Sequence, residues 1–187
     1  MSMSLPPIYS FPPLYTRQPN LIIRRQQISS WMDLILQYAK SRNAWCMSAE
    51  GYIVREGSES VQESIFVNNE IERSVPQVFI NEIWSTMCQE GKAIGMDKGK
   101  KESPTYYILW RTVDSWASLI LQWFESTGKL QQVVTVYELC QGDESIGWEF
   151  HGMPEPLTAH CLKPLCHRHR ATIVNDEYGK PVAVKVV

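Results

Sequence analysis

Apolar residues at Ile28, Trp31, Met32 and Ile35 fall at i, i+3, i+4 and i+7, the stripe by which one face of an α-helix meets a core. The spacing returns at Trp116, Leu119, Ile120 and Trp123. Around these stripes, Ser30–Gln37 and Ser115–Gln122 are identical at six of eight positions, at a constant offset of 85 residues. The likeness continues downstream. Ser74–Ile94 and Gly152–Ile173 align on Pro76 and Pro154, which sets Phe79, Ile83 and Met87 against Leu157, Cys161 and Leu165, and Cys88 against Cys166. Each of those prolines stands near a first helical turn, where a missing N–H costs least. Pro164 lies deeper and predicts that the second copy of this helix kinks or ends early.

Each of these helices is followed by strand, turn and strand. The first turn lies around Lys98-Gly99-Lys100 with a return strand Thr105–Trp110; the second is Asp176–Lys180 with a return strand Val182–Val187. Val133–Gln141 suits a short middle helix ending before Gly142, and Glu50–Asn69, polar and glycine-punctuated, reads as an extended surface loop. The order helix, helix, helix, strand, turn, strand is that of a winged helix. The pattern therefore predicts an α+β chain with a proline-rich extended tail over residues 1–20. A first winged-helix domain follows over 21–111 and a second over 112–187, in tandem.

The tail carries one motif twice: Pro6-Pro7-Ile8-Tyr9 and Pro12-Pro13-Leu14-Tyr15. Proline fixes φ near −65° and removes a backbone donor, which excludes a helix interior or a central strand and favours polyproline II. Six residues are two turns of that helix. Both tyrosines would then point the same way, about 19 Å apart. Such a segment is a low-entropy ligand for a protein partner.

Composition narrows the rest. Hydrophobic residues make up 44% of 187 and charged residues 20%, the make-up of an ordinary globular chain. The net charge of −2 gives no electrostatic case for nucleic acid or an acidic membrane. Five cysteines without framework spacing favour free thiols in a reducing compartment. There is no basic-then-apolar leader, no acceptor glycine after Met1, and no apolar run near the ~20 residues that span a bilayer, so a chain that is cytosolic, nuclear or attached to a membrane only through partners is expected.

Winged helices often bind DNA, and Lys163, His167, Arg168, His169 and Arg170 could meet phosphates. Yet the half from Thr112 onward holds six Lys/Arg against nine Asp/Glu, a balance of −3. The matching helix of the first copy offers only Gln77, Asn81, Glu82 and Glu90 as polar candidates. DNA reading is disfavoured. Cys161, Cys166, His167 and His169 lack tetrahedral zinc spacing, and Cys161 occupies an apolar register position. "GMDKGKK" is not a phosphate-binding loop, and nothing matches a nucleophile elbow or a zinc-protease helix. No catalytic, cofactor or metal residue is assigned. What remains is protein-binding surface: Leu34, Leu36, Leu121 and Phe124 widen the two helical stripes beyond one face and serve either the internal core or a partner.

"PPLYTRQPN", "DSWASLILQWFESTGKL", "TVYELCQGDES", "WEFHGMPE" and "CLKPLCHRHRATI" together resemble the small-subunit family of the endosomal sorting complex ESCRT-II, its fungal members above all. The resemblance spans nearly the whole chain apart from Glu50–Asn69. It implies two tandem winged helices with no enzymatic activity. It further implies two copies of the chain per complex, joined to one copy each of two larger winged-helix subunits on endosomes. Pro6, Pro7, Tyr9, Pro12, Pro13 and Tyr15 would anchor the tail to those subunits. Residues 112–187 would recruit the initiating ESCRT-III subunit during multivesicular body formation. Membrane contact would be indirect, with lipid and ubiquitin binding left to a partner. Two other readers stay open on the residues: the WW domain of a ubiquitin ligase, which takes the same Pro-Pro-x-Tyr pattern, and DNA.

Overall fold

The computed structural model describes residues 4–55, 63–96 and 104–187. They fall into two compact units, Met1–Trp110 and Arg111–Val187.

In the first unit, helix α1 (Leu21–Ser41) starts where the Asn20 side chain accepts from the backbone N–H groups of Ile22 and Ile23 at 3.0 and 3.1 Å. It buries Gln27, Ile28, Trp31, Met32, Leu34, Ile35 and Ala39. Strand β1 (Cys46–Ser48) follows, then a two-stranded ribbon of β2 (Val67–Asn68) and β3 (Arg73–Ser74). Helix α2 (Gln77–Gln89) opens behind Pro76 and buries Phe79, Ile80, Ile83, Trp84 and Met87. Strands β4 (Ala93–Gly95) and β5 (Thr105–Ile108) pair antiparallel, Ala93 opposite Ile108 and Gly95 opposite Tyr106. The sheet order is β1-β5-β4. The predicted turn at Lys98-Gly99-Lys100 lies outside the described residues.

Two expectations fail here. Among the described residues the first unit has no middle helix; the chain instead makes β1, a bridge from Met47 to Ile53, and the ribbon. Nor is 50–69 a surface loop at its described ends, because Ile53, Ile65 and Phe66 belong to the core. A polar run hides them: isolated apolar residues carry no periodicity, and only tertiary contact reveals them. Phe66 sits 5.5 Å from the Trp31 ring and 6.3 Å from the Trp84 ring, linking both helices.

In the second unit, α3 (Val113–Ser126) is capped by Thr112, whose hydroxyl accepts from the Ser115 N–H at 3.1 Å. It buries Trp116, Ala117, Ile120, Trp123 and Phe124. The segment predicted as a middle helix is divided. Val133–Thr135 form strand β6, and helix α4 (Val136–Gln141) begins only after Thr135, which caps it. The run Val-Val-Thr has the branched side chains that suit a strand, and it pairs with β8 (Pro181–Val186). The next helix breaks as Pro164 requires, into α5 (Glu155–Cys161) and α6 (Lys163–His167) around Leu162. Strand β7 (Ala171–Asn175) and β8 form the wing, giving the order β6-β8-β7. Both units are winged helices. Leu34 and Phe124 are buried within their own units, and Leu36 and Leu121 are half-buried, so most of the surplus apolar surface is core.

Gly51 is where the first unit depends on a missing side chain. Its φ is +93°, and a Cβ there would stand 2.7 Å from both Phe66 Cδ2 and Ser64 Oγ. Gly51→Ala is expected to lower stability by about 1–3 kcal/mol in urea melts. Gly91→Ala, with φ +71° but open space around it, should cost less, which separates packing from backbone strain.

Candidate protein-docking site

Proline fixes φ but leaves ψ free, and a 3-10 turn accepts the same φ as polyproline II. The tail uses that freedom. Pro7–Ser10 and Pro12–Tyr15 are both 3-10 turns, with the Tyr9 N–H donating to Pro6 O at 2.9 Å and the Leu14 N–H to Phe11 O at 3.0 Å. The two tyrosine rings, far apart in an extended tail, lie 6.0 Å apart between centroids.

Helix α1 supplies the reason. Trp31 meets Tyr15 edge-on at 5.2 Å and Tyr9 at 6.3 Å, and its indole N–H donates to Leu14 O at 3.0 Å. Gln27, one turn earlier on the same face, points its amide nitrogen at three tail carbonyls: Pro13 and Leu14 at 3.1 Å, Thr16 at 2.5 Å. Its side-chain oxygen accepts from the Gln18 N–H at 3.2 Å, so this buried amide is satisfied at both ends. The Tyr15 hydroxyl donates to Tyr9 O at 2.7 Å, and the Tyr9 hydroxyl donates to Ile65 O at 2.9 Å. Asn68 closes the ring by donating to Tyr9 O at 3.0 Å. Outside this, Glu82 of α2 receives Arg17 at 2.7 Å and Arg24 at 3.2 Å.

The predicted site residues therefore divide into two layers. Tyr15, only 1% exposed, and Leu14 are part of the first unit's core, and Tyr9 is half-buried against it. Pro7, Pro12 and Pro13 stand outward and Pro6 is half-buried, with Ile8 and Phe11 exposed beside them. The sequence reading missed Gln27 and Asn68. Gln27 had a signal: it is a polar residue four positions before Trp31, on the helical face that carries the apolar stripe. Asn68 had none.

The four side chains weighed for zinc sit in the second unit. Burial pushes the Cys161 thiol up to about 12, the behaviour of an inert core cysteine, while His167 and His169 are exposed. Among the described residues, no three His, Cys, Asp or Glu side chains gather as a metal site.

Residues 8–154 match the model of a family described as ESCRT-II complex subunit. The chain belongs to the ESCRT-II subunit family. It is 54% identical to the vacuolar protein-sorting-associated protein 25 of Saccharomyces cerevisiae over 98% of this chain and 99% of that one. A crystal structure described as subunit VPS25 of the endosomal trafficking complex ESCRT-II is 53% identical, covering 98% of this chain and 100% of that chain, with a TM-score of 0.85. The corresponding chain in a crystal structure of the endosomal complex ESCRT-II (VPS22/VPS25/VPS36) is 52% identical, covering 97% and 98%, with a TM-score of 0.82. These likenesses span both units of this ESCRT-II family member.

Burial holds both tail phenols above the ordinary tyrosine range, and for Tyr9 the neighbouring Tyr15 adds to it. The folded chain keeps these protons at a pH where the unfolded chain sheds them. Their contribution to stability is therefore complete below about pH 10 and declines as pH rises beyond it. Tyr9→Phe also loses the bond to Ile65. It should be about 1 kcal/mol less stable at neutral pH and show a shallower alkaline decline in urea melts run across pH.

Proposed function

We propose that this chain is a non-enzymatic ESCRT-II subunit, present in two copies beside one copy each of two larger winged-helix subunits. Its tail, through the motifs Pro6, Pro7, Tyr9 and Pro12, Pro13, Tyr15, docks it onto those subunits together with the first winged helix. The second winged helix, residues 112–187, recruits the initiating ESCRT-III subunit and so starts filament assembly. The pathway is multivesicular body sorting of ubiquitinated membrane proteins toward the vacuole or lysosome. The chain works in the cytoplasm, peripherally on endosomal membranes and without its own lipid contact. In support, no helix among the described residues is long and apolar enough to cross a membrane.

One observation carries the docking reading. The motifs are already folded, with Pro7, Pro12 and Pro13 outward and the tyrosines clamped on Trp31, so a partner meets a shaped ligand and little ordering entropy is lost on binding. A WW domain takes a polyproline II ligand with its tyrosine available. Here that ring would first have to leave the core of its own domain, which favours the ESCRT-II partners over a ligase.

Tagged wild-type chain purified from its source cells should bring down two larger winged-helix subunits, one of each per two copies. A variant with Pro6, Pro7, Pro12 and Pro13 all changed to alanine should lose both. A WW-domain ligase retrieved in their place would overturn the reading. Truncation before Thr112 should keep core assembly and lose ESCRT-III recruitment; retained recruitment would place that function elsewhere.

A further inference from the structure

We propose that the fold makes the two Pro-Pro-x-Tyr copies unequal and turns the first into a gated ligand. Pro6-Pro7-Ile8-Tyr9 becomes available to a WW domain when the Pro7–Ser10 turn peels from the first unit, whereas Pro12-Pro13-Leu14-Tyr15 stays locked until that unit unfolds. The gate belongs to the unassembled chain and does not depend on which partner the folded tail serves.

As peptides the two copies are near-equal ligands, because each presents two prolines, one aliphatic residue and a tyrosine. A WW domain takes that ligand as polyproline II, with ψ of about +145° and the tyrosine ring free. The folded tail meets neither condition. Pro6 is extended at ψ 154°, but the residues after it close a 3-10 turn, in which ψ falls to roughly −20 to −30°. Both rings lie against Trp31. Binding therefore requires opening, and the affinity of the whole chain is scaled by the fraction that is open.

The two turns are held unequally. The bonds from α1 land on the second copy: Gln27 donates to Pro13 O and Leu14 O, and the Trp31 indole donates to Leu14 O. The chain behind that copy is pinned as well, by Gln27 on Thr16 and Gln18 and by Glu82 on Arg17. Its aliphatic residue, Leu14, is 4% exposed and its tyrosine 1%. The first turn buries no residue, and its aliphatic Ile8 is 39% exposed. What holds it comes from the 63–68 segment and from Tyr15: the Tyr9 hydroxyl donates to Ile65 O, and Asn68 and Tyr15 donate to Tyr9 O.

A few hydrogen bonds at a half-exposed site open locally, at a free energy well below that of global unfolding. Pulling out Leu14 and Tyr15 is a different event, because it empties part of the core and leaves Gln27 as an unpaired buried amide. Opening therefore begins at the first copy and stops there. A ubiquitin ligase that reads Pro-Pro-x-Tyr would act on chains whose tail has come loose and pass over those whose tail is packed.

The test titrates an isolated Pro-Pro-x-Tyr-binding WW domain with the full chain and with peptides spanning residues 4–11 and 10–17. Both peptides should bind, and the wild-type chain should bind at least about tenfold more weakly than the first peptide. Asn68→Asp keeps the acceptor for the Glu70 N–H but loses the donor to Tyr9 O, and should recover about threefold or more of that affinity. In that background Pro6→Ala with Pro7→Ala should remove binding, and Pro12→Ala with Pro13→Ala should retain it. Ile83→Val, in the core face of α2, lowers global stability and should leave the WW affinity unchanged. If Asn68→Asp melts early, hydrogen exchange on the wild type carries the test. The amides of Tyr9 and Phe11 should exchange at least about tenfold faster, relative to intrinsic rates, than those of Leu14 and Thr16. Silence from both peptides means no WW ligand, and a chain that binds as tightly as its peptide means no gate. Equal exchange of the four amides, an equal gain from Ile83→Val, or binding that needs Pro12 and Pro13 means that opening is global or begins at the second copy. Each of these results overturns the proposal.

Discussion

The first winged helix of this chain depends on the grip of α1 on its own N-terminal segment. Trp31 is fully buried and faces three aromatic rings, Tyr9, Tyr15 and Phe66, while its N–H bonds Leu14 O. Gln27 adds the amide that holds the same backbone. Each group solves a problem for the other. The tail carbonyls would be buried without partners if Gln27 were apolar, and Gln27 would be an unpaired amide in the core if the tail were elsewhere. The aromatic line continues from Trp31 through Phe66 to Trp84 and Tyr106, the last pair stacked at 4.4 Å. It ties α1, the 63–66 segment, α2 and the sheet to the tail.

The internal repeat shows how one helix serves two ends. Trp116 occupies the place in the second copy that Trp31 holds in the first. The guanidinium of Arg111 lies 5.7 Å from its ring, and Arg111 is in turn held by a bidentate pair with Glu149 at 2.6 and 2.7 Å. Donating these hydrogen bonds to Glu149 raises the Arg111 pKa further. One tryptophan holds a proline-rich segment and the other lies under a cation. The same fold thus packs a proline-rich segment on its first copy and leaves a different surface on its second, where Val133, Tyr137, Ile146 and Tyr178 are among the large exposed side chains.

The tail is folded within the chain itself, unlike a disordered linear motif. Its turns are closed by backbone bonds and its tyrosines by hydroxyl bonds, so conformational freedom is already spent in the isolated chain. Tyr15 is buried in the fold and Tyr9 half-buried against it, whereas Pro7, Pro12 and Pro13 are exposed.

The sequence by itself determined the tandem repeat, the helical stripes, the wing hairpins and the break at Pro164. Periodicity and proline chemistry are local, and local rules read them. Tertiary structure alone decided that Val133–Thr135 is a strand, because a short branched run takes its state from whether β8 lies beside it. It placed Ile65 and Phe66 in the core, since two apolar residues in a polar run acquire meaning only opposite Trp31 and Trp84. It also decided the conformation of the tail. Proline sets φ and leaves ψ open, so the choice between an extended ligand and two tight turns passed to Trp31 and Gln27, which lie more than ten residues further along the chain.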